Sequence, residues 1–168
     1  MVIAFRTDAS VQIGTGHFMR CLTLAKELQT KGAKIIFISR HLPQYLSAIL
    51  LEEGIGHKSI NDGDGFDFLD DLPHSKWLGT TQANDARLTN EALADVGCDW
   101  VVVDHYAIDH RWEKSVRISC KKMMVIDDLA DRHHACDVLL DQNYYSGMLS
   151  RYEGKVPSRC KLLLGPGY

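Results

Sequence analysis

At 168 residues the chain is long enough for one well-packed domain, and its 45% hydrophobic and 24% charged content is ordinary for a globular protein. A formal charge of −3 gives no bulk attraction to nucleic acid or to an anionic membrane, so neither is expected as a partner. No apolar run approaches the ~20 residues that cross a bilayer, and Arg6 and Asp8 so near the start do not suit a signal peptide. Cys21, Cys98, Cys120, Cys136 and Cys160 are never spaced C-x-x-C, which predicts reduced, mostly buried thiols in a cytoplasmic protein.

In chain order, residues 2–6 are a short apolar run suited to a buried strand. Phe18, Leu22, Ala25 and Leu28 recur at helical spacing, and Gly32 is placed to end that helix. Residues 33–39, rich in β-branched side chains, predict the next strand. A helix over 45–53 closes at Gly54, and a short strand follows near 58–60. The acidic, glycine-broken stretch 61–73 predicts a loop with one short helical turn. There Asp62 and Asp64 fit the opening of a calcium loop, but Phe66 and Pro73 occupy later ligand positions and exclude the EF-hand pattern. Helical spacing returns over 82–96 and stops at Gly97.

Residues 99–106 contain three successive valines and read as a strand buried on both faces, as in a parallel sheet. The basic residues of 111–122 alternate with Trp112, Val116 and Ile118, which predicts a surface helix over 108–119 with a wet basic face. Residues 123–128, 136–143 and 161–165 predict three more strands. The alternation implies an α/β fold, a doubly wound parallel, Rossmann-like sheet with helices on both faces. The chain stops directly after a strand, which predicts either an edge strand or a chain cut from something longer.

In an open parallel sheet, ligands bind beyond the carboxyl ends of the strands. That rule selects the loop 8–17, the triplet Asp104, His105 and Tyr106, the pair Asp127 and Asp128, and Asp141 with Gln142 and Asn143. Carboxylates at such points also cap helices and tie down loops, so for Asp127, Asp128 and Asp141 a structural role stands beside a binding one. The loop has Gly14 and Gly16, but Met19 stands where a dinucleotide fingerprint needs a third glycine. The next strand ends Ser39-Arg40-His41, without an acid for a ribose, so no nicotinamide or flavin site is expected. Neither a G-x-x-x-x-G-K-[ST] run nor a G-x-S-x-G elbow is present.

What remains is a turn that lets the backbone approach a ligand, beside helix amides that favour anionic or oxygen-rich groups. His17 stands at the mouth of that helix. The partial positive charge there disfavours a second one on the ring, which predicts a neutral imidazole able to act as a general base. A ring that merely caps the turn is the alternative. Arg20, one turn on, is placed either for a phosphate or for an acidic loop residue. The stretch 132–136 holds His133, His134 and Cys136 without a further ligand at zinc spacing, and it reads as a solvated loop with no metal expected.

Five segments, "IGTGHFMRCLTLA", "WLGTTQANDA", "DWVVVDHYAID", "VIDDLADRHHACDVLLDQNY" and "LLLGPGY", occur in that order. Together they resemble the N-terminal half of the UDP-2,4-diacetamido-2,4,6-trideoxy-β-L-altropyranose hydrolases of pseudaminic acid biosynthesis, over nearly the whole chain. The resemblance implies one half of a two-domain GT-B architecture. Residues 1–168 would be the N-terminal domain, and a missing C-terminal domain would hold most contacts to UDP. It also implies a UDP-sugar substrate, water attack at the anomeric carbon with inversion, and no metal or other cofactor. The family's histidine after G-x-G falls on His17, the implied base, with Gly14 and Gly16 leaving room for the sugar. Asp104, His105, Tyr106 and Asp128 rest on the strand-end argument alone and are expected to wall the site. Two rival readings are a GT-B glycosyltransferase with a UDP-sugar donor and a module that binds without chemistry. The isolated domain is expected to be inactive alone.

Overall fold

The computed structural model describes residues 1–62 and 70–168. Among these run β1 (Val2–Thr7), α1 (Gly16–Thr30), β2 (Lys34–Ser39), α2 (Gln44–Glu52), β3 (Gly56–Ser59), α3 (Gln82–Leu93), β4 (Trp100–Asp104), α4 (His110–Val116), β5 (Lys122–Ile126), β6 (Val138–Asp141) and β7 (Lys161–Leu164). The seven described strands form one parallel sheet in the order β3-β2-β1-β4-β5-β6-β7. From β1 the chain winds outward to β3, then returns to β4 and winds the other way. The switch point therefore lies between β1 and β4, where the loops leaving the two strands diverge.

Side chains alternate across the sheet and build a core on each face. Ile3, Phe5, Ile35, Phe37 and Val102 pack beneath α1 and α2 against Phe18, Leu22, Leu46 and Leu50. Ala4, Ile36, Ile38, Val101 and Val103 face α3 and α4 and meet Ala86, Leu93, Trp112 and Val116. Arg6 continues the second set and is fully buried, so its charge must be met inside the fold. Asp8 and Asp85 meet it there.

The architecture is the doubly wound α/β sheet expected from the sequence, with two differences. No α-helix lies between β5 and β6 or between β6 and β7 among the described residues, where only the 3-10 turn Met148–Ser150 interrupts the coil. Helix α4 ends at Val116, and a 3-10 turn Arg117–Ser119 follows it. Ile118, two residues past Val116 and so on the other side of a helical turn, is 86% exposed, while Trp112 and Val116 are buried as anticipated. The basic residues are not an open patch, since Arg111 pairs with Asp70, Asp71 and Asp109, and Arg117 with Asp137. Of the acidic stretch 61–73, residues 63–69, including Asp64 and Phe66, lie outside the described residues. No described helix is long and apolar enough to cross a membrane.

Candidate functional site

Alternation past the end of β4 sorts the expected triplet. Asp104 falls on the α1 side, as Val102 does, and Tyr106 returns to that side. His105 turns the other way, is only 2% exposed, and sets its Nε2 3.3 Å from Asp8 Oδ2. Burial, despite Asp8, holds the His105 ring below its ordinary range. His105 was expected in the site wall; the structure assigns it to the buried charge cluster of β1 instead. The pleat is the physical reason.

The other residues converge. His17, in the first turn of α1, places Nδ1 2.6 Å from Asp104 Oδ1. An ionised carboxylate has no proton to give, so the ring N–H donates and Nε2 becomes the nitrogen with a free lone pair. Arg20, one turn along the same helix face, donates from Nε to Asp104 Oδ2 at 2.5 Å and from Nη2 to Oδ1 at 2.6 Å. Such a planar fork fixes the carboxylate in orientation as well as charge. The third arm of the guanidinium reaches Asp128 Oδ2 at 3.1 Å. Tyr106 donates its hydroxyl to Asp128 Oδ1 at 2.5 Å, and Asn143 adds a bond to Oδ2 at 3.2 Å.

Burial alone would push the Asp104 carboxyl up, but the Arg20 and His17 hydrogen bonds hold it below the usual carboxylate range. Burial and the Asp128 carboxylate together push the Tyr106 hydroxyl well up, so it remains a donor. The helix end is therefore not the nearest charge to His17, as the sequence suggested. Asp104 is nearest, and Arg20 Nη2 stands 3.2 Å from the same ring nitrogen.

An aromatic wall stands beside this network. The rings of His17 and Tyr106 meet edge-to-face at 4.4 Å, Trp77 stacks on Tyr106 at 5.8 Å, and His74 lies 4.5 Å from Trp77. Trp77 and His74 are not found by sequence reasoning, because they sit on or beside a short 3-10 turn with no periodicity to read. Gly79 closes that turn at φ +66°, and a Cβ there would stand 2.8 Å from His41 Nε2. Gly14 has φ +77°, which favours glycine, whereas Gly16 has no such requirement. Added Cβ atoms at Gly14 or Gly16 would meet nothing within 4 Å. Both glycines are exposed, and α1 has neither a side-chain cap nor an acidic residue in its first turn.

The remaining acids divide. Asp127 is buried, accepts from Ala130 N at 2.9 Å and forms an ion pair with Arg132 Nη1 at 2.9 Å, the structural role foreseen as one alternative. Asp141 is also buried, bonded to the Tyr152 hydroxyl and Asn143 N. Only Asp128 of the three joins His17, Arg20 and Tyr106.

The stretch 132–136, expected to be solvated, is largely interior. Arg132, His134 and Cys136 are buried, and His133 alone is exposed. His134 places Nδ1 2.6 Å from Glu113 Oε1, with Asp127 Oδ2 3.7 Å from Nε2 as a longer charge contact. Burial pulls this ring down, but Glu113 and Asp127 outweigh it and raise the His134 pKa from 6.5 to about 9. A raised value in the folded state stabilises the protonated fold. The contribution is complete below about 6.5 and is lost as the pH rises through about 9. Stability against urea should therefore fall as the pH rises over that window, by on the order of 3 kcal/mol for a shift of this size. A His134→Gln variant should lack that part of the slope; a variant with the wild-type slope would refute the assignment.

No family model matches the chain. It is 30% identical over 169 residues to a UDP-2,4-diacetamido-2,4,6-trideoxy-β-L-altropyranose hydrolase of Campylobacter jejuni, covering 100% of this chain and 51% of that protein. The resemblance read in the sequence thus holds along the whole chain. An uncharacterized protein of Methanocaldococcus jannaschii is 30% identical over 129 residues, 76% of this chain and 22% of the relative. A glycosyltransferase crystal structure from Rickettsia africae superposes with a TM-score of 0.56 at 17% identity, over 93% of this chain and 41% of that one. That likeness establishes the fold, which is consistent with one half of a GT-B architecture. The chain spans about half the length of the hydrolase it matches.

Proposed function

We propose that this chain is the N-terminal, sugar-side domain of a nucleotide-sugar hydrolase, and that His17 is its general base. The observation that carries the reading is the contact of His17 Nδ1 with Asp104 Oδ1, 2.6 Å, at the carboxyl lip of the sheet. It directs the basic lone pair to Nε2, and Arg20 locks the carboxylate that does so. In the proposed reaction a water loses a proton to Nε2 as its oxygen attacks the anomeric carbon. The bond from that carbon to the UDP oxygen breaks, and UDP departs with the electron pair. Attack opposite the leaving group inverts the centre. Tyr106, Trp77 and His74 offer a partly exposed aromatic wall to a sugar ring. Arg20 is already committed to Asp104 and Asp128 and is not offered as a diphosphate ligand. Binding of UDP is assigned to a second domain, for which the greater length of the relative leaves room. The specific substrate proposed is the UDP-diacetamido-trideoxy sugar named for that relative.

Incubation with that UDP-sugar, followed by product analysis, tests the reading. The polypeptide carrying both domains should release UDP and free sugar, and this chain alone should show little or no turnover. Transfer of the sugar only to an added acceptor would establish a transferase instead. Robust hydrolysis by the isolated chain would remove the need for a second domain.

A further inference from the structure

Cys136 and Cys160 are unused by the site, yet they face each other. Their sulfurs are 3.6 Å apart, in van der Waals contact. They lie just before β6 and β7, adjacent parallel strands in which Val138 pairs with Lys161. Cys136 is fully buried, whereas Cys160 is partly open to solvent. One thiol is thus reachable by a small reagent and the other is held directly behind it. A disulfide needs the sulfurs at about 2 Å, so closing this pair takes a shift of roughly 1.5 Å shared by two side chains. Among the described residues no group of three or more His, Cys, Asp or Glu side chains is placed to hold a metal ion, so the pair does not form part of a metal cage.

We propose that Cys160 and Cys136 form an oxidative modification site, in which a peroxide oxidises Cys160 and Cys136 then closes a disulfide. In the first step the Cys160 thiolate attacks one peroxide oxygen and the O–O bond breaks. Hydroxide leaves, and the sulfur is oxidised by two electrons to a sulfenic acid. In the second step Cys136 attacks that sulfur. The S–S bond forms, the S–O bond breaks, and the departing hydroxide takes the Cys136 proton to leave as water.

The local charges favour this division of roles. The hydrogen bond from Cys136, with the nearby His134, draws the Cys160 thiol below its ordinary range. Cys136 is driven up, chiefly by that same sulfur contact and by burial. Cys98 and Cys120 are both pushed up by burial and are poorer targets. The cross-link would tie down the segment 137–159. Within it the Tyr145 and Arg151 side chains reach the Asp128 carbonyl oxygen, and the Tyr152 hydroxyl reaches that of Asp127. Oxidation here would therefore brace the loop behind the Asp128 side of the site.

Reduced chain treated with hydrogen peroxide at neutral pH should lose two hydrogens in intact mass, and peptide mapping should find Cys136 joined to Cys160. A thiol-reducing agent should restore the original mass. In Cys136→Ser the reaction should stop at a sulfenic acid on Cys160, trapped by dimedone. Alkylation of Cys160 in untreated protein should run at least about tenfold faster than that of Cys98 or Cys120. A different pairing, or a Cys160 no more reactive than Cys98 and Cys120, would overturn the proposal. The wild-type mapping needs no variant, so a folding defect in Cys136→Ser does not shield it.

Discussion

Asp104→Asn in the proposed two-domain hydrolase is expected to lower kcat about 100- to 10,000-fold, the range for a misdirected general base, with KM for the proposed UDP-sugar nearly unchanged. The carboxylate accepts the proton on His17 Nδ1 while Arg20 grips both of its oxygens. An asparagine there has one acceptor and one donor. Either flip sets the NH2 against a donor: against Arg20 Nε with the oxygen at the Oδ1 position, or against the ring and Arg20 Nη2 with the oxygen at Oδ2. In the second flip Nδ1 must accept and the proton moves to Nε2, the nitrogen that should take one from water, and in both flips the ring loses the anion that steadies its protonated form. His17→Ala should lose a similar factor. The double variant should be little worse than either alone, because the two residues act as one unit. Steady-state kinetics on the three variants decides the matter. If His17→Ala raises KM and leaves kcat intact, the ring is a structural cap and the proposed mechanism fails.

The second large effect is on stability and lies on the opposite face of the sheet. Asp85→Asn should destabilise the fold by about 3–5 kcal/mol, the cost of breaking a buried ion pair from one side. Asp85 is fully buried. It accepts from Arg6 Nε at 3.0 Å and Nη2 at 2.6 Å, and from Trp112 Nε1 at 2.8 Å. Arg6 is gripped from its other side by Asp8, which also accepts from Arg40 N at 2.7 Å. The Asp8 and Arg6 charges hold each other in the ionised form despite complete burial. An amide at position 85 leaves the fully buried guanidinium short of compensating charge and out of reach of bulk solvent. Breaking the exposed Arg87–Glu91 pair, 2.6 Å apart on α3, should cost less than about 1 kcal/mol. Urea denaturation of both variants measures the contrast; equal losses would refute the burial argument.

Much of the fold was open to local reading. Three valines in succession identify β4 because only a strand covered on both faces has use for them. The spacing of Phe18, Leu22 and Ala25 identifies α1, and the same residues form its buried face. The site was legible as a set of strand-end candidates and no further. His105 departs from that expectation, because a period of two carried one residue past Asp104 turns it away from Tyr106 toward Asp8. Asn143 lay among the strand-end candidates without an assigned role. Trp77, His74 and Glu113 carried no signal that separates a site wall or a buried ion pair from ordinary loop and helix residues.

By itself the sequence determined the elements, their buried faces and the edge of the sheet on which ligands would gather. Those follow from caps, glycines and repeats that act over a few neighbouring residues. Only the tertiary structure decided which charge meets which. Arg20 and Asp104 are separated by 84 positions and Arg6 and Asp85 by 79, and their contacts exist only once the crossovers have laid α1 and α3 on opposite faces of one sheet. A carboxylate's role depends on what reaches it within about 3 Å, and no local pattern in the chain encodes that distance.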